Sequence, residues 1–318
     1  MTWVTWRQYR YQGALAAALL AVLAVVLLIT GLHAAQVWHS ALTGCMKRDS
    51  CGPLSLSSSA FTNLVLATAA VPLLPGLFWG APSVAQELET GTNQFAWTQS
   101  ITRRRWLVIR SGWLLLGAAA LAGAVSALVT WWSGPDSALT AGAFGATRFD
   151  ITYIVPVGYA VFAMALGICA GTLLRRTLPA LAVTLVGFAA LRVLTTWLRP
   201  HYMTPVTAYY KLTAAFTPTG SYLGISQGWI GPNGQPPVPG PGNYEFDGEA
   251  VPAVCEKFMS GLKPNPLPCL MAHGYRGYVT YQPASRFWAF QGIEAGIFAV
   301  LAAALLAVTF WVLKRRDA

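Results

Sequence analysis

Charged side chains are scarce in this chain of 318 residues: only 10% are Asp, Glu, Lys or Arg, whereas 55% are apolar. A typical soluble domain carries about 25% charged residues. The composition therefore excludes an ordinary soluble domain and favours a membrane protein.

Motifs for enzymatic chemistry are missing as well. The sequence has no G-x-x-x-x-G-K-[ST] phosphate loop, no H-E-x-x-H zinc motif and no G-x-S-x-G elbow. All four histidines (His33, His39, His201 and His273) fall at or beyond one predicted membrane interface, so no haem-binding pair crosses the bilayer. We therefore expect no catalytic, metal-binding or cofactor-binding residues in this chain, which leaves transport or binding.

Six segments reach the roughly 20 apolar residues that a helix needs to cross a bilayer. They are residues 13–35, 60–81, 106–132, 151–174, 178–198 and 287–313. The first is too long for a signal peptide and lacks a clear cleavage context, so we interpret it as a retained span. The sequence thus predicts an all-α, polytopic membrane protein with six transmembrane helices.

Arginine and lysine are distributed unequally between the two sides of these spans. Eleven lie on one side, and the short loops of the other side hold Lys47, Arg48 and Arg148. The eleven are Arg7, Arg10, Arg103, Arg104, Arg105, Arg110, Arg175, Arg176, Lys314, Arg315 and Arg316. The positive-inside rule then places both termini in the cytoplasm of a cell-membrane protein. Because these residues are dispersed at span ends, they do not indicate a nucleic-acid surface.

The spans divide the chain into four regions. Residues 1–12 combine aromatics with arginine and predict an interfacial helix on the cytoplasmic side, an unstructured tail being the alternative. Residues 13–199 hold spans one to five with a polar loop at 80–106, and residues 287–318 form span six and a tail. Residues 200–286 form a large outer segment, which we expect to contain a re-entrant element followed by a small helical or irregular cap.

Four of the five cysteines fall in the predicted outer loops as two local pairs, Cys45 with Cys51 and Cys255 with Cys269. Local rings close at the lowest entropic cost, so we expect these two disulfides, with Cys169 a buried thiol. Four free thiols are the alternative. A zinc site is disfavoured, because no histidine stands at ligand spacing from either pair.

The polar loop between spans two and three holds the largest group of charged residues on its side of the protein. Pro82 suits a first helical turn and Gly91 a helix end, which predicts a short helix carrying Glu87 and Glu89. A second helix should run from Arg103–Arg105 into span three. A charged helix-turn-helix of this kind, placed between two spans, favours contact with a soluble partner.

The run Glu87-x-Glu89-x-Gly91-Thr92, followed by Phe95 and the basic cluster, resembles a signature of ABC-2 type permeases. The fuller stretch GAPSVAQELETGTNQFAWTQSITRRRW is similar to small actinobacterial permeases of this class. These are the membrane subunits of ATP-binding-cassette exporters. Six spans, cytoplasmic termini and an enlarged loop between spans five and six match the family plan.

The resemblance implies that the loop between spans two and three couples the permease to a separate ATPase subunit, which binds ATP and Mg²⁺. The coupling positions implied are Glu87, Glu89, Gly91, Thr92, Arg103, Arg104 and Arg105. It also implies a second permease copy, alternating access and export. The apolar, aromatic walls suit a hydrophobic or amphipathic cargo such as a small molecule, lipid or peptide.

Two other classes of function remain open at this stage. A membrane sensor or assembly protein would bind a ligand with the outer cap and recruit a signalling partner with the inner loop. A cofactor-bearing membrane oxidoreductase is disfavoured by the lack of ligands.

Two charged residues lie inside the predicted spans at matching depth. Arg192 is seven residues before Arg199, about 10 Å deep, and Glu294 is eight residues after Arg286, about 12 Å deep. Ionised groups are costly in hydrocarbon, so we predict that Arg192 and Glu294 form an ion pair between spans five and six. Alternatively, Arg192 snorkels to the headgroups and Glu294 faces a wet cavity.

Overall fold

The structure of the chain is a computed structural model. It describes residues 14, 18, 21–32, 36, 67–90, 103–133, 144–212, 222–235, 245–246, 249–259 and 265–315. Cys45, Cys51 and the predicted interfacial helix of residues 1–12 lie outside this described part.

Most of the described elements are helices, and the described part also contains five short strands. The helices are α1 (Ala21–Leu32), α2 (Ala81–Thr90), α3 (Arg103–Trp132), α4 (Ala146–Ile151), α5 (Val155–Leu174), α6 (Thr177–Leu198), α7 (Leu267–Ala272) and α8 (Phe287–Arg315). The strands are β1 (Val206–Tyr210), β2 (Leu223–Ile230), β3 (Glu245–Phe246), β4 (Glu249–Ala250) and β5 (Arg276–Gln282).

Five of the described helical segments are long and apolar enough to cross a membrane. They are Ala67–Gln86, Leu107–Trp132, Val155–Leu174, Thr177–His201 and Ala284–Arg315. The prediction of a polytopic helical membrane protein is confirmed. Of the first predicted span, the structure describes the shorter apolar helix α1.

The second span extends beyond its predicted end at residue 81. Its apolar segment runs to Gln86, and Ser83, Val84 and Ala85 are buried within it. Pro82 lies in the first turn of α2, and α2 ends at Thr90, directly before Gly91, so the predicted short helix carrying Glu87 and Glu89 is present as a continuation of the span. A π-helical turn at Gly76–Gly80 precedes α2, and the Ala81 N–H bonds to Gly76 O. In a regular α-helix, a proline ring clashes with the carbonyl of the preceding turn. The wider π-helical turn moves these carbonyls away from the ring.

Helix α5 is the most enclosed of the described spans. Of the residues in its apolar stretch, 72% are buried, compared with 17% for the span that contains α6. The other helices therefore pack around α5. A Cβ at Gly167 would lie 2.5 Å from Gly76 O, and one at Gly171 would lie 2.7 Å from Ala81 O. The Gly167-x-x-x-Gly171 motif of α5 thus makes close contact with the turn preceding α2 and with α2 itself.

The corresponding Gly292-x-x-x-Gly296 motif in α8 makes no such contact within the described part of the chain, since a Cβ at either position would meet nothing within 4 Å. Helix α8 instead approaches α5 at Ala295, whose Cα lies 3.2 Å from the place of a Cβ on Gly158. The neighbouring residue Glu294 is completely buried.

The described residues divide into two compact units, with boundaries after Arg199 and after Phe287. The first unit contains the long spans apart from a few terminal residues, namely Pro200–His201 and Ala284–Phe287. The second unit, Pro200–Phe287, contains the strands. The expectation of a re-entrant element is wrong, because β1 and β2 pair with β5 in an antiparallel sheet. The expected helical or irregular cap is present in part, because the segment with Cys255 and Cys269 forms the 3-10 helix Ala253–Phe258 and α7.

Strand β5 lies at the centre of this sheet. Val206 pairs with Tyr281 on one side, and Leu223 pairs with Gln282 on the other. The Gln282 side chain donates to the carbonyls of Pro200 and Met203, at 3.1 and 2.6 Å, and so fixes the chain leading into β1.

A small apolar core in the second unit surrounds a disulfide. Cys255 and Cys269 are bonded to each other, and Trp229, Val251 and Leu270 pack around them. Cys169 is a buried free thiol in α5.

Candidate functional site

Five polar side chains meet inside the helical unit, and we call them the ion cluster. They come from four helices and one helical extension: Asp150 from α4, Tyr159 from α5, Arg192 from α6, Arg199 from the 3-10 turn after α6, and Glu294 from α8. Glu294, Tyr159 and Arg199 are 0, 1 and 2% exposed.

Glu294 and Arg199 form the most enclosed contact of the cluster. Arg199 Nε lies 2.9 Å from Glu294 Oε2, and Arg199 Nη2 lies 2.8 Å from Oε1. This two-pronged geometry matches the planar guanidinium to the carboxylate. Arg199 Nη2 also reaches Asp150 Oδ1 at 2.5 Å, so one arginine joins both acids.

Arg192 completes the ring of charges from the other side. Its Nη2 lies 2.6 Å from Asp150 Oδ2, and its Nη1 lies 3.4 Å from Glu294 Oε1. The side chains of Arg192 and Asp150 are 17 and 13% exposed. Two arginines thus compensate two carboxylates, and a buried cluster is tolerated only when its charges are balanced in this way.

The Tyr159 hydroxyl lies between the charges. It donates a hydrogen bond to Glu294 and accepts one from Arg192. The Arg192 guanidinium also lies 4.0 Å from the centre of the Tyr159 ring, and the Arg199 guanidinium lies 4.2 Å from that of Phe149. Aromatic faces thereby replace part of the water that the two cations lose.

A break between α4 and α5 positions Asp150 against the arginines. Tyr153, within the break, has a φ of 61°, a left-handed conformation that is uncommon for residues other than glycine. Gln291 of α8 bridges the break, because its Oε1 accepts from Val155 N at 3.1 Å and its Nε2 donates to Phe149 O at 3.2 Å. These buried side-chain bonds replace helical ones that the break removes.

The predicted contact between Arg192 and Glu294 is present, but it is the longest ion pair in the cluster. Sequence reasoning missed Asp150, Tyr159 and Arg199. Arg199 was placed at the end of a span, yet it lies seven residues after Arg192, a spacing that returns to the same helix face. That spacing was the signal that could have found it.

The end of α2 is attached to the beginning of α6 through Glu89. Glu89 Oε2 accepts hydrogen bonds from Thr177 N at 3.2 Å and from Thr177 Oγ1 at 2.9 Å. First-turn N–H groups have no acceptor within their own helix, and a carboxylate there also suits the helix dipole. Helix α5 ends just before, at Leu174, and its C-cap residue Arg175 has a φ of 52°, so the chain turns tightly between α5 and α6.

Helix α2 is also attached to α3, because Arg110 Nη2 donates to Ser83 O at 2.7 Å. Helix α3 begins at Arg103, as the sequence indicates. Gly91, Thr92 and the side chains of Glu87 and Arg103–Arg105 lie outside the described part of the structure. Among the predicted coupling side chains, Glu89 is the one that the structure describes.

In the second unit, a histidine lies next to the disulfide. His273 Nδ1 lies 3.6 Å from Cys269 Sγ. The sequence-based statement that no histidine stands at ligand spacing from either cysteine pair is therefore wrong. Cys269 and His273 are four residues apart, which places both on one face of a helical turn.

The packed spans and their buried ion cluster define a polytopic helical membrane protein. The chain belongs to the ABC-2 membrane transporter related family, whose model matches residues 17–199. The resemblance to ABC-2 type permeases is confirmed at this level, and with it a permease-like role in transport. No curated protein and no solved structure matches this chain.

Proposed function

We propose that this chain is the permease subunit of an ATP-binding-cassette exporter, working with a separate ATPase subunit and a second permease copy in the cell membrane. The observation that carries the proposal is the family match over residues 17–199. The acidic motif at the end of α2 supports it, because it is the part of the chain that resembles a coupling element.

The Glu89 contact suggests how movement at that motif would reach the membrane. An ATPase that closes on ATP would displace the loop at 80–106, and Glu89 would carry the beginning of α6 with it through Thr177. The distance along the axis of α6 from Thr177 to Arg199 is about 33 Å. Its far end holds Arg192 and Arg199, so the displacement would act on the ion cluster and hence on α4 and α8.

The orientation in this proposal follows from the basic residues at the ends of the spans, with both termini cytoplasmic. The cargo is a hydrophobic or amphipathic small molecule, lipid or peptide. In support, large apolar side chains cover the outward faces of α6: Leu178 is 79%, Val193 71% and Trp197 70% exposed. Lipid, cargo or a second copy would have to cover this surface.

Purification of the tagged chain from membranes of its native host tests the partnership. We expect a Walker-motif ATPase to co-purify, and the pair in lipid nanodiscs to hydrolyse ATP at a rate different from that of the ATPase alone. Replacement of Glu87 and Glu89 together by alanine should remove that difference while leaving the permease folded.

A matched control replaces Glu245 and Glu249, two acids of the second unit, and should leave the rate unchanged. If no ATPase accompanies the chain, the exporter proposal is wrong. If one does, but the Glu87 and Glu89 replacements leave hydrolysis unchanged, the partnership stands and the coupling assignment is wrong.

A further inference from the structure

Three side chains that suit a metal ion converge in the second unit. One ligand atom from each of Cys255, Cys269 and His273 lies within 4.8 Å of the others. Cys255 belongs to the 3-10 helix Ala253–Phe258, Cys269 to α7, and His273 follows α7 directly. Two thiolates and an imidazole form a set that zinc favours, with a fourth position left for water or another ligand.

Packing and backbone hydrogen bonds hold these residues close in addition to the disulfide. Cys255 and Cys269 are buried together with Trp229, Val251 and Leu270 in the core of the unit. The backbone at each ligand is also fixed locally, since Cys255 N bonds to Pro252 O at 2.8 Å and His273 N to Cys269 O at 3.1 Å. Reduction of the disulfide would therefore leave the two thiols beside each other and beside His273.

An ion has a route to the site. A cavity of about 290 Å³ opens beside it and is lined by Val254, Lys257, Phe258, Cys269 and His273. Cys255 is buried, whereas His273 is exposed, so the cavity meets the trio from the side of Cys269 and the imidazole.

We propose that Cys255, Cys269 and His273 form a zinc site in the reduced protein, and that the disulfide is the metal-free, oxidised state of the same site. The disulfide accepts two electrons and two protons from a dithiol, which is itself oxidised to a disulfide. Zn²⁺ then displaces the two thiol protons and binds two thiolates and the imidazole. Metal binding and disulfide formation exclude one another, because both use the same sulfur atoms.

The test uses the full chain in detergent with Cys45 and Cys51 replaced by serine, so that those thiols bind no metal. After reduction by a phosphine and its removal without oxygen, the protein is titrated with Co²⁺ and then with Zn²⁺. We expect one Co²⁺ per chain, with thiolate-to-cobalt charge-transfer absorption that Zn²⁺ abolishes. The oxidised protein should show no such absorption.

Two variants locate the site. Cys269→Ser should abolish the absorption, and His273→Ala, which leaves the disulfide intact before reduction, should weaken Co²⁺ binding by at least about tenfold. His201→Ala, a histidine of the same unit outside the trio, should have no effect. Equal affinity in His273→Ala and the parent would overturn the proposal.

If reduction loosens the second unit, amide hydrogen exchange of residues 253–259 and 265–275 measures whether zinc restores its structure. Zinc should then restore slow exchange in those segments, because metal binding and folding are coupled. A reduced chain that binds no cobalt, or whose exchange zinc leaves unchanged after loosening, would contradict the proposal.

Discussion

Arg199 and Glu294 are joined by two hydrogen bonds, at 2.9 and 2.8 Å, although they are 95 residues apart in the chain. Both are buried among the spans, and they connect the end of α6 to α8. A buried charge is costly when its partner is removed, whereas removing both partners together costs far less. The pair therefore defines the strongest expected coupling in the ion cluster.

Replacement of Arg199 by methionine should lower the stability of the chain in detergent by about 3–5 kcal/mol, because it leaves Glu294 buried with too little positive charge. The double variant Arg199→Met/Glu294→Met should recover most of this loss, since Arg192 and Asp150 remain paired at 2.6 Å. Thermal or denaturant unfolding of the two single variants and the double variant measures the coupling.

Arg176→Met serves as the control for that cycle, because Arg176 is an exposed arginine of the same unit. Its effect should be within about 0.5 kcal/mol of zero. Losses that simply add in the double variant would mean that Arg199 and Glu294 do not stabilise one another.

Arg192 should contribute less than Arg199, although it was the arginine that the sequence singled out. Its side chain is 17% exposed and stands 3.4 Å from Glu294, so we expect Arg192→Leu to cost about 1–3 kcal/mol. The double variant Arg192→Leu/Glu294→Leu keeps Arg199 paired with Asp150 at 2.5 Å and should recover much of the loss caused by Glu294→Leu. An effect of Arg192→Leu as large as that of Arg199→Met would contradict this ranking.

Depth in the membrane was sufficient to predict that Arg192 meets Glu294, because that inference needs only the length of a helical residue. It was insufficient for Asp150 and Arg199, which lie at span boundaries where water is the default expectation. Their burial depends on the break between α4 and α5 and on Gln291, which bridges it. Gln291 lies more than 130 positions from the break in the chain. The sequence around the break therefore does not indicate that its backbone groups are hydrogen-bonded and buried.

The sheet of the second unit illustrates a different limit. Strand β5, RGYVTYQ, carries β-branched and aromatic residues that are typical of strands, and so does β1, VTAYY. The setting of residues 200–286 between two apolar spans instead favoured a re-entrant element in the part that contains β1 and a small helical or irregular cap in the part that contains β5. Only the pairing of β1 and β2 with β5, across 46 or more residues, distinguishes the two, and that pairing is tertiary.

Glu89→Ala should expose the first turn of α6 to exchange, because Thr177 N and Oγ1 lose their shared acceptor. We expect amide hydrogen exchange of residues 177–180 to become faster than in the parent, whereas exchange in the middle of α5 should not change. Glu89→Gln retains one acceptor oxygen, and Thr177→Val removes only the hydroxyl, so both should give intermediate rates. Unchanged exchange in Glu89→Ala would show that another group caps this helix.

Replacement of glycine by alanine should have opposite effects on stability in the Gly167-x-x-x-Gly171 and Gly292-x-x-x-Gly296 motifs. In Gly167→Ala the new methyl group would lie 2.5 Å from Gly76 O and 2.7 Å from Ala81 N, which are backbone atoms that cannot rotate away. Forcing α5 away from this turn should cost about 1–3 kcal/mol. Gly296→Ala meets nothing within 4 Å in the described chain and should be neutral or stabilising by up to about 1 kcal/mol, since alanine favours the helix. Unfolding of both variants in detergent compares them directly, and equal stabilities would mean that α5 does not approach the Gly76–Gly80 turn this closely.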